Sequence, residues 1–183
     1  MSKKKTKKLT QLQIKAMFSE IHGMNNASNE LQRISLQEDS KKNQKITYIL
    51  PSVVLSSFTC ELCMKAILAM KEIEIDNEHN LVTLFQLLKS VLSNKSIENI
   101  QKNTEDHFLQ ECKSIDSVDF HKELDAIGDS FRDLRYFYEK VDNPTGHLIN
   151  LAFLEGFKFA LIRQLVDVET EYANKIKSTN NEL

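Results

Sequence analysis

The sequence predicts an all-α protein: an up-and-down antiparallel bundle of about five long helices, in one domain. Three observations carry that expectation. Of 183 residues only four are glycine and two are proline, about a quarter of the usual share, whereas sandwiches, barrels and Rossmann units need many tight turns. Apolar residues recur at intervals of three and four through most of the chain, the spacing of one helical face. The few strong breakers fall between those runs.

Met1–Leu9 is a lysine-rich tail, expected to be disordered, and Thr10 is a candidate N-cap for the first helix. Ile14, Met17, Ile21, Met24, Leu31 and Ile34 continue that helix, as one piece or as two with a break near Gly23–Asn26. The polar stretch Gln37–Lys45 is expected to be a loop. A second helix runs from Ile46 or Pro51 to Ile73, with Pro51 suited to a first turn. Its residues are apolar nearly all round, as in a helix enclosed on most sides. Val53–Met70 has the length of a membrane span, but Glu61 and Lys65 lie at its centre. Charges are costly at mid-bilayer, so a buried central helix is the better reading.

Asp76–Asn80 is a turn into a third helix, marked by Leu81, Leu84, Phe85, Leu88 and Leu92. Ser96–Cys112 is polar and weakly periodic, helical by default and the expected mobile part. After a loop at Ile115–Ser117, Phe120, Leu124, Ile127, Phe131, Leu134, Tyr138 and Val141 mark the clearest amphipathic helix. Gly128 within it allows a kink or a close helix contact. Asp142–Gly146 is the strongest breaker, and a last helix spans His147–Lys177 before a frayed end at Ser178–Leu183. The domain is thus residues 10–177.

The 24 basic and 26 acidic residues nearly cancel. Five lysines lie in the first eight positions; without them 19 basic residues face 26 acidic ones, a net charge of −7. Such a body is ill suited to bind nucleic acid by bulk electrostatics. No apolar segment follows the basic start as a secretory signal would require, and three cysteines make no disulfide scaffold. A reduced, cytoplasmic protein away from membranes is expected.

Cys60-Glu61-Leu62-Cys63 is a C-x-x-C inside a helix, without the preceding strand of a redox motif or a second ligand pair for zinc. Together with Cys112 these thiols are expected to be core residues, and neither metal nor cofactor is implied. Glu61 and Lys65, four apart with the acid first, form a favourable helical ion pair. In apolar surroundings they serve either as a buried network that fixes helix register or as one wall of a groove. Phe131–Glu139 is the densest cluster: Arg132, Arg135 and Glu139 flank the apolar stripe, able to satisfy one another, to pair with Glu61 and Lys65, or to hold an anion. Tyr138 falls in the stripe itself. His79 suits a turn or a first helical turn.

Three segments in order resemble HEPN-type helical domains of bacteria and archaea. Glu61-Leu62-Cys63-Met64-Lys65-Ala66 is similar to their E-L-x-x-K-A segment. His79-Asn80-Leu81 with Leu84-Phe85 is similar to H-x-L-x-x-L-[FY], and Phe131 with Arg135–Glu139 to the F-x-x-x-R-Y-x-Y-E segment of abortive-infection relatives. The resemblance implies a helical bundle that commonly dimerises, in toxin–antitoxin, phage-defence or RNA-processing systems. Active members are metal-independent ribonucleases built on R-x(4–6)-H. Arg132-Asp133 matches the start, but positions 137–139 are Phe, Tyr and Glu, so the histidine is missing.

Imidazole is matched to proton transfer at neutral pH and a tyrosine hydroxyl is not. The leading expectation is therefore a non-catalytic interaction module, homodimeric, engaging a protein partner encoded nearby or RNA. Its binding or polar-network residues are Glu61, Lys65, His79, Arg132, Arg135 and Glu139. The alternatives are a ribonuclease using Arg132, Arg135, Tyr138 and His79, and a purely structural helical subunit.

Overall fold

The computed structural model describes residues 9–36, 42–75, 77–113, 116–128 and 150–180. Among them there are six helices and no strand: α1 Gln11–Ser35, α2 Lys42–Met70, α3 Leu81–Val91, α4 Asn94–Glu111, α5 Phe120–Ile127 and α6 Leu151–Asn180. The all-α expectation stands. Helix lengths are more uneven than expected: three reach 25, 29 and 30 residues, and the others have 8 to 18.

Helix α1 starts where its capping chemistry dictates. The Gln13 backbone N–H donates to Thr10 Oγ1 at 3.2 Å, while Thr10 N–H donates to Gln13 Oε1 at 2.8 Å, a reciprocal capping box. It runs unbroken through Gly23–Asn26, because its buried residues Ile14, Ile21, Ser28 and Ser35 hold one face against α2. Helix α2 begins at Lys42, inside the stretch expected to be a loop, so Pro51 lies in the helix interior and not in its first turn. Packing overrides the local penalty here. Val53 and nearly every residue from Ser56 to Met70 are buried, and α2 touches α1, α3 and α6. Thr47–Met70 is long and apolar enough to cross a bilayer, and 72% of its most apolar 18-residue window is buried inside the molecule.

Three short helices follow, each with a side-chain cap. Asn80 Oδ1 accepts from Thr83 N–H, Ser93 Oγ from Ser96 N–H, and Asp119 Oδ1 from both His121 and Lys122 N–H. Helix α4 agrees with the helical expectation for Ser96–Cys112. It is continuous from Asn94, and Ile97, Ile100, Thr104 and Phe108 form one buried face. Thr104 hid the periodicity: its hydroxyl donates to Ile100 O at 2.8 Å, which lets a polar residue occupy an apolar position.

Helix α6 packs on α2 and α4 and reaches Asn180, past the expected fraying point at Ser178. Phe85, Phe120, Phe153 and Phe157 meet at centroid distances of 5.3–6.3 Å and join α3, α5 and α6. At Gly128 the close contact is present. Its carbonyl accepts from Leu81 N–H at 2.8 Å, and a Cβ there would come within 3.0 Å of Val82. The lysine tail through residue 8, residues 37–41, Asp76 and residues 114–115 lie outside the described residues, as do residues 129–149 and 181–183. The second half of the predicted Phe120–Val141 helix and the Asp142–Gly146 breaker fall among them.

Candidate functional site

Of the charged residues singled out in the sequence, Glu61, Lys65 and His79 come together. Glu61 lies midway along the enclosed helix α2 and is 1% exposed. A carboxylate this dry needs donors to offset its lost hydration. Lys65 Nζ, one turn on, donates to Glu61 Oε1 at 2.8 Å, and His79 Nδ1 donates to the same oxygen at 2.9 Å. A carboxylate only accepts, so the hydrogen is on Nδ1 and the neutral imidazole keeps its acceptor at Nε2. Exposure rises outward through the group: Glu61 2%, Lys65 18% and His79 53% for the side chains. The other oxygen, Oε2, is buried and has no hydrogen-bond partner among the described residues.

The local chain explains why His79 reaches this carboxylate. Helix α2 ends in a Schellman motif, with Ile73 N–H donating to Leu68 O and Glu72 N–H to Ala69 O. Glu72 occupies the left-handed position at φ 61°. The chain then turns back, and Glu78 Oε1 accepts from the backbone N–H of His79 and Asn80 at 2.9 and 2.7 Å. Asn80 caps α3, and Leu81 is tied to Gly128. His79 is thus carried by a turn fixed at both ends. Arg132, Arg135, Tyr138 and Glu139, with the rest of the predicted Phe131–Glu139 cluster, lie outside the described residues.

A second polar cluster escaped the sequence reading. Lys158 on α6, 3% exposed, pairs with Glu155 at 2.6 Å and donates to Asn29 Oδ1 at 3.0 Å and Ser56 Oγ at 3.3 Å. Ser56 Oγ donates to Glu155 Oε1, and Ser28 Oγ lies against both Ser56 Oγ and Ser52 O. The network spans α1, α2 and α6. Its signal was the Glu155/Lys158 pair inside an apolar run, the same kind of signal as Glu61/Lys65. Every member has a partner, and Lys158 Nζ is held by a carboxylate. This arrangement holds helices together and offers no nucleophile.

Cys60 and Cys63 are fully buried. Burial pushes both thiols well above the ordinary range; for Cys60 the neighbouring Cys63 adds to the rise, and the Lys158 ammonium opposes it for both. They are protonated, inert core residues. Cys112 is half-buried. Among the described residues no three His, Cys, Asp or Glu side chains gather as a metal ion would need.

The arrangement at Glu61 can hold a histidine in one tautomer and offer a dry carboxylate oxygen to an incoming donor. Compared with protein-family models, with curated proteins and with solved structures, the chain matches none of them.

Proposed function

We propose that this chain is a HEPN-like interaction module, non-catalytic, cytoplasmic and homodimeric. In this reading it serves a bacterial phage-defence, toxin–antitoxin or stress-response system by engaging a protein partner or RNA. The observation that carries the reading is Glu61 Oε1 holding both Lys65 and His79. These residues come from two of the three family-like segments, separated in sequence by the α2–α3 turn. Arg132, Arg135 and Glu139 belong to the third segment and are proposed to act with them.

The test is a low-salt RNA-binding assay, beside co-purification with the product of a neighbouring gene and a light-scattering mass. Capture of the partner by a dimer, weakened by Glu61→Gln, or RNA binding, weakened by Arg132→Ala, is the expected result. A monomer that binds neither RNA nor a neighbouring gene product leaves only the structural-subunit reading.

A ribonuclease is the second reading, and one observation favours it. The Glu61–His79 pair holds an imidazole through a carboxylate, supplying the kind of proton-transfer group that positions 137–139 lack. Metal-independent degradation of labelled total RNA, abolished by His79→Ala or Arg132→Ala, would replace the interaction module with this enzyme.

A further inference from the structure

We infer that Glu61 is a guanidinium-binding site, flanked by Lys65 and His79. The inference takes its site from the reading above and adds the chemistry of the occupant. Glu61 Oε1 already accepts two hydrogen bonds, whereas Oε2 is buried with no partner among the described residues. A carboxylate oxygen kept from water lacks the donors that water would supply, so a group bringing one is favoured there.

The surrounding charges select a cation. Among the described residues Glu61 and Glu78 oppose Lys65 alone when His79 is neutral, so an oxyanion such as a phosphodiester meets net negative charge from them. The point charge of an ammonium is already supplied by Lys65. A planar guanidinium is less strongly hydrated and can bond both oxygens of one carboxylate. His79 is the displaceable neighbour: its side chain is 53% exposed, and its bond to Glu61 is one that an incoming N–H can replace.

Two sources carry this chemistry. Of the four arginines in the chain, Arg33 is bonded to Glu30 and Arg163 lies over the Phe159 ring. Arg132 and Arg135 remain as one source; an arginine of a partner protein is the other.

Methylguanidinium titrated into the full chain, with the imidazole resonances of His79 followed by NMR and assigned through His79→Gln, separates the outcomes. A saturable shift in the wild type, weakened about tenfold or more in Glu61→Gln by loss of a charged hydrogen bond, assigns the site to an external arginine. A silent wild type with a responsive Arg132→Lys/Arg135→Lys variant assigns it to the chain's own arginines. No response in either protein overturns the inference. So does an equal response to methylammonium in the wild type, which needs no variant. Loss of RNA and partner binding with the methylguanidinium response intact would instead remove the functional reading and leave this site standing.

Discussion

Cys60 and Cys63 show how burial alone sets the chemistry of a side chain. Both thiols are raised by desolvation, so the folded protein keeps protons that the unfolded chain releases near pH 8.5. Their contribution is fully present below that pH. It falls as pH rises above it, by about 1.4 kcal/mol per pH unit for each thiol. Urea melts between pH 7 and 10 should show this fall, and Cys60→Ala/Cys63→Ala should flatten it. A slope unchanged in the variant would place the loss elsewhere. Glu72 makes a second residue-scale prediction. At φ 61° it pays for a left-handed position that glycine adopts freely, while its ion pair to Lys175 is long, at 3.6 Å, and exposed. Glu72→Gly should raise unfolding stability by about 0.5–1 kcal/mol; a loss of that size would mean that the side chain's interactions outweigh the strain. At this scale the sequence exposed Glu61 and Lys65, because a charged pair four apart in an apolar run stands out. The strained Glu72 was hidden, since only the path of the turn decides which residue takes the left-handed position.

Two glycines in long helices separate intrinsic helix propensity from packing. Gly23 is exposed in α1, and a Cβ there meets nothing within 4 Å. Gly156 lies where α6 crosses α4, and a Cβ there would come within 2.8 Å of Thr104 O and 3.2 Å of His107 Cβ. Gly23→Ala should therefore stabilise by about 0.5–1 kcal/mol through chain entropy and helix propensity. Gly156→Ala should destabilise by about 1–3 kcal/mol, because α4 must shift. Thermal melts of both variants check the pair, and equal shifts would refute the close crossing. Legibility at this scale follows the reach of each interaction. The Thr10 cap was visible because capping is local, acting across three residues. The start of α2 as early as Lys42 was not, because packing against helices distant in sequence carries this helix through Pro51.

At the scale of the molecule, α2 divides its polar work between two sides. Ser56 and Glu61 are five residues apart, about 140° around the helix. Glu61 serves the α3 turn, with one oxygen unpartnered among the described residues; Ser56 serves α1 and α6 through a network whose members all have partners. The all-α class was legible from composition and spacing, but this division was not, because helix neighbours are set by the whole packing. The network sets the order of cost for one last experiment. Lys158→Met removes the cation between Glu155, Asn29 and Ser56 and leaves the 14%-exposed Glu155 carboxylate unpaired in a nearly dry site. Breaking such a pair costs about 3 kcal/mol, a large part of the 5–15 kcal/mol that typically holds a domain together. The urea midpoint should fall accordingly with little change in slope. Glu155→Leu added to Lys158→Met removes the stranded charge along with its partner, and should recover most of the loss. If the double variant were as unstable as the sum of the two single variants, the pair would be uncoupled, and α1, α2 and α6 would be held by apolar packing alone.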